Sequence, residues 1–472
     1  MNKYFKWIIL IVIWNSILFF DKKLGLSVIL FIIPLLFFIY YILKENKRIK
    51  NKYGLLFIIP IILLSLSYCI FNNDFFQLLN IPVIIGLFLL LYIFTIKPTF
   101  KIPTILNDMI TLIVEPFNNF SNIFNLLKKQ FTGNFKISSN SKKKILSFLI
   151  VLPIVIFIII LLSSADMVFS NIFSGILNMF NNISIPDVIP SFIHRLIIMI
   201  ILFLYVSATI NFLLFNFSKI KYREDTFKID DYTTKLLLTI LNVVYIVFDI
   251  IQIKSLLLHK VSMNISYAEY ARQGFFQLMF VSFINLTIIL LSKKYERKSN
   301  KSSKQYISIM SFIMIGLTLI IVVSSFIRMY MYESAYGLTL LRLLVYISLI
   351  TEVILFIPTI FYILDSKFKI TKYYLIILIS VYTVLNFINI DYIIATRNIK
   401  HYYETGKIDI DYLENYNTDN IKVLVKFYEN TTNNELKESL KGYFSYINTN
   451  TKGFQEFNIS KINAKRILYK YK

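Results

Sequence analysis

"LRLLVYISLITEVILFIPTIF", residues 341–361, decides what kind of molecule this chain builds. Beyond Arg342 its one charged side chain is Glu352. A helix needs roughly 20 mostly apolar residues to cross a hydrocarbon core about 30 Å thick, and this stretch supplies them. Glu352 falls near the midpoint, with Thr351 as its adjacent polar neighbour. Arg342 lies ten residues earlier, about 15 Å along a helix axis, too far for direct pairing. A charged carboxylate facing lipid costs several kcal/mol. Glu352 is therefore expected to point into a bundle, toward another helix or water, and it is a candidate functional residue.

The rest of the chain repeats the pattern. Of its 472 residues, 57% are hydrophobic and 16% charged, far from the soluble average. Charges gather in short runs between long apolar stretches. The Ile-, Phe- and Asn-rich composition points to an AT-rich bacterial source. Eleven runs approach bilayer length: about 5–20, 24–43, 54–70, 81–97, 145–162, 192–217, 234–253, 275–292, 305–327, 339–364 and 373–390. The first follows Lys3 and Lys6, but "FFDKKLG" offers no small-residue cleavage site, so it reads as an uncleaved span.

Basic residues orient these spans. The N-terminus and every second loop carry 29 Lys and Arg, the opposite loops and span edges eight. Cytoplasmic loops hold the positive excess, so the N-terminus is expected inside. The net charge of +23 is mainly this orientation signal, which removes the case for nucleic acid.

Two connections are long without spanning. Residues 102–131 place apolar side chains at helical spacing, interrupted by Pro116; they are expected to lie on the cytoplasmic interface. Residues 163–184 are expected as an outer interfacial or re-entrant helix. An odd span number puts residues 391–472 outside, as a small helical domain. Its helices are "TDNIKVLVKFYEN", "NNELKESLKGYFSYIN" with Leu436, Leu440, Phe444 and Ile447 on one face, and "NISKINAKRILYKY". About 80 residues bury little alone, so docking on the membrane part is expected. The divisions are thus 1–97 (four spans), 98–144 (amphipathic loop), 145–390 (seven spans) and 391–472 (outer domain).

Chemistry-bearing residues concentrate toward the outer side. "SMNISYAEYARQGFFQLMF" (262–280) places Glu269 and Arg272 three apart among tyrosines, at the mouth of a span. On one helical face they would pair. "FIRMYMYESAYGLTLLRLL" (326–344) repeats that character with Arg328, Glu333 and Arg342, and Gly337 supplies a turn. One connected network of Glu269, Arg272, Arg328 and Glu333 is expected. Asp166, His194, Arg195 and Asp249 are secondary candidates. A plain interfacial ion pair with anchoring tyrosines is the structural alternative for each cluster.

One cysteine, Cys69, excludes an intrachain disulfide or thiolate cluster. His194, His259 and His401 lack ligand spacing, so no metal or cofactor is expected. No Walker motif, G-x-S-x-G, H-E-x-x-H or H-x-x-x-x-D occurs, and no catalytic residue is assigned.

"YAEYARQGFFQL" (267–278), "RMYMYESAYGLTLLRL" (328–343), "NFINIDYIIATRNIKHY" (386–402) and "FQEFNISKINAKRIL" (454–468) occur in order, and "LLSSADMVF" (161–169) agrees with them. They resemble the signature segments of a bacterial polytopic family catalogued as a domain of unknown function, number forty-one seventy-three, over roughly residues 145–472. The resemblance implies an integral membrane protein and transfers no catalytic residue.

The expectation is an all-α integral membrane protein of about eleven spans in a bacterial cell membrane. Its partners would be the bilayer and a membrane or extracytoplasmic protein. Three functions are open: a transporter or flippase-like carrier with an outward-facing polar cavity; a non-catalytic scaffold or sensor whose outer domain binds a partner; and a lipid- or glycan-modifying enzyme, disfavoured by the missing constellation.

Overall fold

The structure, a computed structural model, describes residues 2–97, 102–118, 231–257, 275–296, 300–414 and 418–471, with part of 195–209. These residues are helical, with no strand among them. The labelled helices are α1 (Asn2–Phe19), α2 (Leu26–Glu45), α3 (Ile58–Ile70), α4 (Asp74–Ile96), α5 (Ile102–Asn118), α6 (Asp231–Leu257), α7 (Phe275–Tyr295) and α8 (Lys301–Tyr336). They continue as α9 (Leu340–Leu364), α10 (Ile370–Leu385), α11 (Ile390–Thr405), α12 (Ile410–Glu414), α13 (Ile421–Asn430), α14 (Asn434–Tyr446) and α15 (Ile459–Leu468).

Among the described residues seven helices are long and apolar enough to cross a membrane, or eight counting α10 and α11 as one bent span. The chain is a multi-pass membrane protein. Seven of the eleven expected runs lie in these seven helices. The first run forms α1, an apolar helix of 18 residues, and of the run 192–217 only part, within 195–209, lies among the described residues. The last run does not continue as a straight helix: α10 ends at Leu385, and α11 leaves it bent by 64°. The run 145–162 and the expected outer helix 163–184 lie outside the described residues.

The chain divides into two compact units. One holds Met1–Leu56, Phe88–Thr99 and Pro103–Tyr222. In it α1 and α2 pair: Tyr4, Ile8, Ile11 and Val12, one helical face, pack on Phe38 and Ile42. The Trp14 indole donates to the Leu30 carbonyl at 2.9 Å. α5 runs past Pro116 to Asn118. It buries Ile105, Asp108 and Leu112, while Leu106, Ile110 and Ile113 on its other face are exposed. Lys97 meets Asp108 at 3.2 Å.

The second unit holds Phe57–Leu87, Phe100–Ile102 and Arg223–Lys472. α6 and α8 run parallel, because Thr239, Asn242 and Gln252 meet Tyr306, Met310 and Ser324 in ascending order. α7 runs against α8, with Lys293 beside Ser308 and Asn285 beside Thr318. Leu238, Leu286, Ile289, Met314, Leu355 and Phe356 fill the space between these helices and α9. Helices α13, α14 and α15 form where the apolar spacing places them. Leu440 and Phe444 are fully buried against Leu424 and Phe427, in a core that also contains Phe76 of α4 and Leu338 before α9.

Candidate functional site

The four-helix part of the second unit carries a polar seam. On α6 the side chains at 239, 242, 245, 249 and 252 share one face by their spacing of three and four. Thr239 meets the Tyr306 hydroxyl at 2.7 Å. Asn242 donates to the Met310 carbonyl at 2.9 Å. One turn on, the Tyr245 hydroxyl donates to Asn285 Oδ1 at 2.6 Å, and Asn285 Nδ2 donates to Thr318 Oγ1 at 3.0 Å. Further along, Arg328 and Ser324 both donate to Gln252 Oε1, at 2.6 and 3.2 Å.

Glu352 joins this seam from α9. It is 0% exposed and accepts a hydrogen bond of 2.7 Å from Ser282 Oγ on α7. Its other oxygen, Oε1, has no hydrogen-bond partner. Arg342, a turn from the start of α9, points elsewhere. Its guanidinium donates to the Tyr336 and Gly337 carbonyls that end α8 and lies 4.2 Å from the Tyr332 ring centre. Cations favour a helix C-terminus, so Arg342 closes the α8–α9 corner.

Asp249 is 3% exposed, and neither carboxylate oxygen has a hydrogen-bond partner. Register fixes its depth. Asp249 lies three residues before Gln252, which meets Ser324, and α6 is parallel to α8. Ser282 lies three residues before Asn285, which meets Thr318, and α7 is antiparallel. Both Asp249 and the Ser282–Glu352 pair therefore fall near the level of Ile321. Burying a carboxylate with open lone pairs costs several kcal/mol when it is charged, and here two occur at about one depth.

The other sequence candidates separate. Glu333 accepts from Arg397 Nε at 2.9 Å and from the Tyr346 hydroxyl at 2.8 Å, whereas Arg328 reaches Gln252. Glu269, Arg272, Asp166 and His194 lie outside the described residues, so of the expected four-residue network only Arg328 and Glu333 are described. Arg195 belongs to the first unit, where Nε donates to Ser16 Oγ at 2.5 Å.

Sequence reasoning missed a second polar site, where α10 breaks before α11. Asn80 Nδ2 of α4 donates to Asn386 Oδ1 at 2.7 Å, and the Tyr382 hydroxyl donates to Asn80 Oδ1 at 2.6 Å. Asn73 Nδ2 donates to Asp391 Oδ1 at 2.8 Å, and the Asn72 backbone N–H donates to Asp419 Oδ2 at 2.8 Å. Asn458 ties α15 to the end of α3 through the Tyr68 and Phe71 carbonyls, both at 2.9 Å. Burial pushes the Asp419 carboxyl up to about 6. The readable signal was the segment 386–402, which contains both Asp391 and Arg397.

Fold and seam together define an all-helical, multi-pass membrane protein with carboxylates buried between its helices. The chain belongs to the family described as Domain of unknown function (DUF4153), whose model matches residues 58–427. The family number expected from the motif segments was therefore wrong. The match begins at the first residue of α3, well before residue 145, and ends within α13, short of the 454–468 segment. No curated protein and no solved structure matches the chain.

Proposed function

We propose that this protein is a carrier whose transport cycle is coupled to a proton taken up at Glu352. The observation that carries the reading is the open Oε1 of a fully buried carboxylate in the middle of α9. Intramembrane ionisable groups held away from lipid mark ion and proton pathways. A seam of hydroxyl and amide side chains leads toward Glu352 from both ends of the four helices, and Asp249 at the same depth offers a second acceptor. The carrier faces outward with its C-terminal helices, 391–472, in an extracytoplasmic domain. The N-terminus is cytoplasmic and the host is a bacterial cell membrane. The 29-to-8 distribution of basic residues supports that orientation.

Proteoliposomes loaded with a pH-sensitive dye test the reading. With an acid pulse outside and an imposed potassium diffusion potential, the wild-type protein should acidify the lumen faster than protein-free vesicles. Glu352→Gln should return the rate to the vesicle baseline, and Asp249→Asn should slow it. Wild-type vesicles at the baseline, or a Gln variant equal to wild type, would overturn the reading in favour of a scaffold.

A further inference from the structure

We propose that the break between α10 and α11 is a binding site for a divalent hard cation of calcium's chemistry, held between Asp391 and Asp419. This inference does not rest on the carrier reading. Asp391 and Asp419 are among the residues lining one small cleft, together with Asn73, Asn389 and Ile388 at the helix break. Asp391 is 1% exposed and Asp419 is 7% exposed. Asp391 Oδ2 and Asp419 Oδ1 have no hydrogen-bond partner, and neither residue has a basic partner among the described residues. Two carboxylates deprived of water, with one oxygen each left open, are expensive to hold charged. A dication supplies the two missing positive charges and a partner for each open oxygen.

The ligand chemistry selects the class of ion. Among the described residues no group of three or more His, Cys, Asp or Glu could hold a metal ion by itself, and the cleft's lining contains no His or Cys, so its donors are hard oxygens rather than those of a zinc or iron site. What the cleft offers is two carboxylates, amide oxygens and a backbone break. Asn73 Oδ1 and Asn389 Oδ1 each accept one backbone N–H, from Phe76 and Tyr392, and a carbonyl oxygen keeps a second lone pair. Where a helix is interrupted, main-chain carbonyls are also released for an ion. Calcium accepts mixed, irregular oxygen sets of this kind, whereas magnesium demands a strict octahedron. Asp391 starts α11, Asp419 precedes α13, and Asn73 precedes α4. An ion there would fasten the C-terminal helices to α4.

The test uses the full chain in detergent after chelator treatment. Calcium-45 equilibrium dialysis should find one ion per chain, saturating below about 1 mM. Thermal unfolding, read by a thiol-reactive dye on the buried single cysteine Cys69, should shift upward with the logarithm of calcium concentration. Asp391→Asn and Asp419→Asn keep the side-chain shape and remove the charge. Each should unfold no earlier than wild type in chelator, yet lose both the bound calcium and the shift. Glu438→Gln, exposed on α14, should keep both. No calcium bound by the wild type, or retention of binding by either Asn variant, overturns the proposal. Stabilisation by acid alone, with no calcium effect, also overturns it and assigns a shared proton instead.

Discussion

Asp419 shows how a single residue sets a measurable property. Its carboxyl ordinarily titrates near 3.8, and burial raises it to about 6 in the folded protein. The folded state therefore binds the proton more tightly than the unfolded state. The associated stability is complete below the unfolded value and is lost as pH rises through about 6. A rise of that size corresponds to at most about 3 kcal/mol. With divalent cations chelated, the unfolding midpoint read by intrinsic fluorescence should be higher at pH 4.5 than at pH 7.5. Asp419→Asn should shrink that difference; an unchanged difference would show that Asp419 does not carry it.

The element scale is set by corners and breaks. Gly337 ends α8 with φ of 77°, a left-handed conformation that L side chains adopt at a cost. A Cβ there would also run into Asn398 Oδ1. That amide accepts from the Leu338 N–H and donates to the Leu338 carbonyl, at 2.8 and 2.7 Å, so it cannot step aside without losing both bonds. Gly337→Ala should lower stability by about 1–3 kcal/mol through strain plus the displaced amide. It should also loosen α11, because Asn398 and Arg397 share that helix. Thermal unfolding of the variant, with protease access to the α11–α12 connection, checks both effects. An unshifted midpoint would mean that the corner relaxes freely. The break after Leu385 is the second such element. The Asn80–Asn386 bond lies at its start, and the Asp391 and Asp419 cleft occupies it.

For the whole molecule the topology can be tested on the described helices alone. α8, α9 and the bent α10–α11 pair are three consecutive candidate crossings between Asn300 and the last helices, so these two points should lie on opposite sides. α10 has 16 residues, about 24 Å at the helical rise, and crosses only narrowly. Reporter fusions at Asn300 and at the C-terminus decide the matter. Both on one side would make α10 a re-entrant segment and place the Asp391 cleft within the membrane.

The sequence by itself determined seven segments that are helices of membrane length, because hydrocarbon penalises every unpaired backbone group and charge along a run. That penalty is local, so it is legible in "LRLLVYISLITEVILFIPTIF" without knowing any neighbour. It also placed Glu352 at mid-span, the buried face of α14 through Leu440 and Phe444, and the turn at Gly337. Only the tertiary structure decided who meets whom. Asn72 reaches Asp419 across 347 positions, Asn73 reaches Asp391 across 318, and Asn458 reaches Phe71 across 387. Inside a bilayer the lipid-facing and the packed surfaces of a helix are both mostly apolar, so local pattern alone rarely says which neighbour faces it. That choice belongs to close packing and to a few interhelical hydrogen bonds, and these exist only once the helices are assembled. Asp249 was readable as an acid near a span's end, but its depth beside Glu352 follows from the register of α6 against α8. The same reason hid the α10–α11 site: its carboxylates sit on separate short helices and converge only when the C-terminal helices pack against α3 and α4.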